Sequence, residues 1–255
     1  MAELFTPFKI KQVEFCNRVV MPPMVKRHGD EDGRVTDKVL EHYGERAAAG
    51  TAMIIVEATA VDPDGRCWEG GLCAYDDSYI AGLARLAQRI KQEGAVACIQ
   101  LVHGGPQANP DITGKDPVGP SAVRPSKDAP IPRALAAEEI LQIEHRFEDA
   151  AARCIEAGFD AVEVHGAHGF LLDSFLSKRR NVRGDDYGGL LQDRVRMLAE
   201  VCTRTRKRIG RQPLLQCRVS IWNHIDEGFS PLDLQQLISR LESTGIDLLH
   251  VSTQG

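Results

Sequence analysis

The sequence predicts an α/β fold in which helices screen a parallel sheet. Three observations carry this reading. Six short runs, residues 17–21, 53–58, 96–102, 161–165, 214–219 and 248–252, are apolar on both sides and rich in Val, Ile and Leu, as strands buried on both faces are. Amphipathic stretches with helical spacing lie between them. Gly or Pro marks most of the expected helix ends.

Taken in order, residues 8–15 alternate polar and apolar side chains around a turn and read as a small hairpin. The strand at 17–21 follows, then a helix over 37–49 with Leu40, Tyr43 and Ala47 on one face and Gly50 at its end. Strand 53–58 leads to a helix over 76–93, with Leu83, Leu86, Ala87 and Ile90 aligned and Gly94 as its stop. After strand 96–102 the chain makes a long excursion, residues 105–133, that holds seven of the thirteen prolines and has little periodicity. Loops this long inside a compact domain are usually functional or disordered. Then come a helix over 136–157, strand 161–165, a helix over 193–209, strand 214–219, a helix over 231–244 opened by Pro231, and strand 248–252. Six such strands do not choose between an open doubly wound sheet and a closed barrel. A G-x-G-x-x-G after the first strand is missing, which lowers the dinucleotide-fold alternative.

The 255 residues are 43% hydrophobic and 26% charged, ordinary for a soluble globular chain and enough for one large domain. The net charge of -5 argues against a nucleic-acid or anionic-membrane partner, because no basic excess exists to hold phosphates. The basic set around Arg204–Arg211 reads as a solvated helix end. No run approaches a membrane span and no leader pattern opens the chain. Seven scattered cysteines without a C-x-x-C pair read as reduced thiols of a cytoplasmic protein.

Polar residues at strand C-terminal ends carry the functional signal, because in a barrel these ends share one mouth. They are the segment Pro22–Val25, Glu57 to Thr59, Gln100 with His103, His165 with His168, and Arg218 inside an otherwise apolar strand. The two histidines three residues apart allow three readings: caps of the helix that follows, donors to a substrate oxygen, or metal ligands. The metal reading needs a third ligand; Glu163 is expected on the far side of the strand, leaving only His103. A guanidinium at Arg218 demands a partner, either Glu57 or Glu163 in an ion pair or a bound cofactor. The adjacent Asp185 and Asp186 read as loop structure rather than an acid/base dyad. An unrelated barrel hydrolase or aldolase would need a metal or a strand-end Lys, and no strand here ends in Lys.

Several strings occur together in one order: VVMPPM at 19–24, IVEATAV at 55–61, QLVHG at 100–104, VEVHGAHGFLLDSFLS at 162–177, GDDYGG at 184–189 and QCRVS at 216–220. Together they resemble the old yellow enzyme family, most nearly its bacterial branch of xenobiotic reductases and larger dienoyl-reductase-like enzymes. The resemblance implies a TIM (β/α)8-type barrel, with about six of eight units in this chain, as a single FMN-binding domain over 1–255 that is incomplete at its C-terminus. It implies FMN reduced by NADH or NADPH, and hydride passed to the β-carbon of a small α,β-unsaturated carbonyl compound. Carried over by residue, Pro23, Met24 and Val25 would lie against the flavin ring, Ala58 and Gln100 at its pyrimidine edge, and Arg218 near N1 and C2=O. His165 and His168 would bind the substrate carbonyl as catalytic donors, and Arg27 would face the substrate.

Three departures from the family pattern shape the expectation. Phe170 stands where many members place a proton-donating Tyr. Val25 stands where Cys or Thr often tunes the flavin. The loops expected to hold the FMN phosphate lie beyond Gly255, so exposed sheet edges would favour homo-oligomers, and a catalytically inactive fragment acting through a partner is the alternative expectation.

Overall fold

The structure is a computed structural model, and it describes residues 3–222 and 229–253. An antiparallel hairpin, β1 (Phe8–Ile10) and β2 (Val13–Phe15), opens the chain as expected. The main sheet contains β3 (Val20–Met21), β4 (Met53–Ala60), β5 (Val96–Val102), β8 (Ala161–Gly166), β9 (Leu214–Trp222) and β10 (Leu248–Thr253). Every neighbouring pair is parallel, and the order across the sheet follows the chain without reversal. A doubly wound sheet reverses its order at a switch point. This one does not, so it forms the arc of a barrel, with β3 and β10 at its two edges among the described residues.

The helices are α1 (Asp37–Ala48), α2 (Ile80–Lys91), α4 (Ala137–Glu156), α7 (Arg196–Ile209) and α8 (Pro231–Glu242). Thr36 and Ser230 cap α1 and α8 through their hydroxyls, satisfying first-turn N–H groups. The expected helix over 193–209 is broken at Val195, with the short α6 (Leu191–Arg194) before it. The strings at 105–133 and 166–177 also fold locally, into α3 (Pro110–Thr113), the short parallel pair β6 (Val118–Gly119) and β7 (Arg133–Ala134), and α5 (Leu171–Leu176). Periodicity over so few residues leaves no readable pattern.

Side chains alternate across the strands. Ile54, Val56, Ala97, Ile99, Val162, Val164, Leu215 and Cys217 enter the large core shared with the helices. Met53, Ile55, Cys98, Ala161 and Leu214 point inward and meet Phe15 of the hairpin, which closes the floor of the arc. Phe15 is stacked on Phe8 at 4.6 Å. Among the described residues no helix is long and apolar enough to cross a membrane.

Candidate active site at the barrel mouth

Above that apolar floor the inward residues turn polar. Gln100, Glu163 and Gln216 occupy one register row on β5, β8 and β9. His165, Arg218 and His250 form the next, and Ser220 pairs with Ser252 above them. Glu163 therefore shares the inward face with His165, two residues on; its expected place on the far side is corrected by the two-residue period of a strand.

Glu163 is fully buried and accepts from residues on three other strands, β5, β9 and β10. Gln100 Nε2 donates to its Oε1 at 2.7 Å, Gln216 Nε2 to its Oε2 at 2.7 Å, and His250 Nδ1 lies 2.8 Å from Oε2. With its oxygens so occupied, Glu163 forms no ion pair with Arg218; nor does Glu57. Arg218 instead donates from Nη2 to Ser252 Oγ at 3.2 Å, and its Nε is buried without a partner among the described residues. Burial lowers the affinity of this guanidinium for its proton, partly offset by the nearby Glu163 charge.

His168 sits in a left-handed turn, φ 62°, followed by Gly169 at φ 77°. A non-glycine residue in that region is uncommon and strained. The turn is held at both ends: His168 N donates to Ser220 Oγ at 3.1 Å, and Gln107 Nε2 donates to its carbonyl at 2.8 Å. Its ring Nε2 lies 2.8 Å from Ser252 Oγ. The side chain thus turns into the barrel and does not cap α5, whose cap residue is Phe170. His165 is buried, with its ring 5.1 Å from that of His168 and 5.0 Å from Phe170, and its Nδ1 has no partner among the described residues. Burial, then the positive groups nearby, holds His165 well below the ordinary imidazole range and His168 at about 4. Both rings are neutral at pH 7.

One wall is apolar: Ala58, Val102 and Phe170 pack with Val25, Cys67 and Trp68, and Trp68 meets Phe170 edge-on at 5.6 Å. Burial pushes the Cys67 thiol up to about 12, leaving it an unreactive wall group. The segment from Pro23 to Val25 leaves the end of β3, with Met24 57% exposed. Glu57 fastens it by accepting from Lys26 N at 2.6 Å, at the bulge of β4 between Val56 and Thr59. Burial raises the Glu57 carboxyl to about 7. Arg27, in a left-handed conformation, lines an outer cleft with Arg66, Asp30, Glu69 and Asp111, a space that neither histidine lines. His103 is buried and accepts from Gly105 N at 3.0 Å. Among the described residues no three His, Cys, Asp or Glu side chains gather as a metal would need.

A profile of the NADH:flavin oxidoreductase / NADH oxidase family matches residues 3–254. The chain belongs to this family. An NADPH dehydrogenase of Bacillus cytotoxicus is 38% identical over 252 residues, covering 98% of this chain and 71% of that one. Among solved structures, a 2-naphthoyl-CoA reductase in complex with 2-naphthoyl-CoA superposes with a TM-score of 0.94 at 28% identity, over 98% of this chain and 40% of its own. The old yellow enzyme homologue from Zymomonas mobilis gives 0.89 at 28% identity, over 98% and 73%. The chain thus spans nearly three-quarters of some relatives and less than half of others. The old yellow enzyme resemblance and the barrel class expected from the sequence hold, and the family is one of flavin oxidoreductases with FMN as cofactor and NAD(P)H as reductant.

Ser252, Ser220 and the true orientation of Glu163 were missed in the sequence reading. Ser252 and Ser220 are ordinary strand residues in sequence; only their register against Arg218 and His168 gives them a role. Glu163 was within reach of the two-residue rule.

Proposed function

We propose that this chain builds the catalytic mouth of an FMN-dependent ene-reductase, which takes hydride from NAD(P)H and reduces the C=C bond of α,β-unsaturated carbonyl compounds. The observation that carries the reading is the pair of neutral imidazoles, His165 and His168, beside an Arg218 whose buried Nε has no partner among the described residues. The residues fit a flavin: an unpaired guanidinium N–H suits an anionic or carbonyl ring edge, Gln100 offers amide groups, and Ala58, Val102 and Val25 supply an apolar platform. Bound there, FMN would supply the hydride chemistry. Pro23, Met24 and Val25 would bound the ring, Ala58 and Gln100 its pyrimidine edge, and Arg218 the N1 and C2=O side.

His165 and His168 would donate hydrogen bonds to the substrate carbonyl oxygen, holding it while electron density moves onto it. Such a donor contributes ~3 kcal/mol of transition-state stabilisation. Phe170 carries no transferable proton, so water supplies the α-carbon proton. Arg27, in its outer cleft, would meet only an extended substrate.

The test is FMN titration of the purified chain by flavin fluorescence, followed by NAD(P)H oxidation with and without a cyclic enone. Uptake of FMN with enone-dependent turnover that H165A suppresses supports the reading. Turnover equal with oxygen alone, or indifferent to H165A, would sink it.

A further inference from the structure

We propose that Glu163 is a positioning residue: a buried carboxylate that locks the Gln100 amide with its oxygen turned to the cofactor ring, so that the site demands an N–H donor at that ring edge. The inference rests on the flavin reading above and adds a residue to it. Its ground is the chemistry of the three bonds around Glu163. A carboxylate only accepts. Gln100 and Gln216 must therefore present nitrogen to it, at 2.7 Å each, which settles which way both amides face. Among the described residues no donor meets Gln100 Oε1, so that oxygen is the group left for a ligand. His250 closes the shell at 2.8 Å and keeps Oε2 from swinging toward Arg218.

The position also matters. Glu163 lies one inward row below His165 and Arg218 on the same face. It places a negative charge beneath the ring edge that Arg218 approaches, in an interior where charges are weakly screened. Arg218 and Glu163 thus act in opposition: one favours charge on the ring edge, the other restrains it. A freely turning glutamine would present either end to the ring; one locked by Glu163 keeps its carbonyl oxygen there, with the second N–H of the amide still able to donate.

Glu163→Gln replaces the pure acceptor by an amide that offers both, so Gln100 becomes free to turn. The readouts are the ionisation of the ring N3–H of bound FMN, followed by visible absorption against pH, and the midpoint potential. In E163Q the N3–H is expected to become roughly tenfold more acidic than in the wild type, and the potential to move positive. The swap Gln100→Glu with Glu163→Gln keeps the charge and the number of hydrogen bonds while restoring an acceptor at position 100. It is expected to return the N3–H toward the wild-type value, and it serves as the variant best suited to fold if E163Q does not. Unchanged ionisation and potential in E163Q, or a swap that fails to restore the N3–H, would overturn the proposal while leaving the flavin reading intact. A wild-type chain that takes up no FMN would overturn both.

Discussion

His168 and Arg218 meet on one hydroxyl. Ser252 Oγ lies 2.8 Å from His168 Nε2 and 3.2 Å from Arg218 Nη2. Arginine has no acceptor, so the serine oxygen accepts from it and keeps one proton and one lone pair for His168 Nε2. With the serine donating to Nε2, neutral His168 carries its proton on Nδ1, the nitrogen then open to a substrate oxygen. Ser252→Ala removes the bridge. Its expected effect is a fall in kcat/KM for an enone by roughly tenfold, about the value of one hydrogen bond of this kind, with NAD(P)H oxidation in the absence of enone changed far less. Stopped-flow measurement of the two half-reactions separates them.

The neutral state of the two imidazoles gives a pH expectation. His168 is held at about 4, below the ordinary imidazole value, by burial first and by Arg218 next. A depressed folded-state pKa means that the unfolded chain binds the proton more readily. Stability from this group is therefore fully present above the ordinary imidazole range and is lost as pH falls through about 4. Substrate binding should be flat from pH 6 to 8. A bell centred near 6.5 that disappears in H168N would contradict the assignment.

Phe170 sits with its ring 5.0 Å from His165 and 5.6 Å from Trp68, only 7% exposed. Phe170→Tyr adds a hydroxyl beside the donor pair. We expect enone reduction to accelerate by about tenfold or more, the low end of what a placed general acid contributes. The solvent isotope effect on that step should change with it. An unaltered rate would show that proton supply from water is not limiting.

Glu144 on α4 offers a stability prediction away from the mouth. It is 1% exposed and accepts from Arg204 Nε of α7 at 2.8 Å. Burial, and then the neighbouring Glu200, outweigh that arginine and raise the carboxyl to about 8. Because the folded value is raised, its contribution to stability is present below the ordinary carboxylate range and lost as pH rises through about 8. Glu144→Gln cannot ionise. Between pH 5 and 9 the wild type should lose more stability than the variant, by on the order of a few kcal/mol for a carboxyl displaced in this direction by burial, read as a larger fall in Tm toward alkaline pH. Thermal melts of both proteins across that range would decide it.

The class of fold was legible because backbone geometry writes it locally. A strand buried on both faces must be apolar throughout, so Val96–Val102 is matched end to end, and Met53–Ala60 runs only two residues past its expected end. Helices α1 and α2 were visible from their apolar stripes and end at Ala48 and Lys91, within two residues of expectation. The same periodicity fixed which residues of one strand share a face, and places Glu163 with His165. Motif strings added the candidates Gln100, His165, His168 and Arg218, and the fold sets all four inside the arc.

Only the tertiary structure decided who meets whom. Ser252 is 34 residues from Arg218 and 84 from His168, and its place between them depends on the register of β8, β9 and β10. Arg218 was expected to find a carboxylate or a cofactor. The strands give Glu163 to Gln100, Gln216 and His250 instead, and leave the guanidinium unpaired by carboxylate among the described residues. Local sequence sets the pleat of each strand, whereas strand register and shear are properties of the assembled sheet. Side-chain partners across strands therefore cannot be read from any one segment, however clearly that segment declares itself a strand.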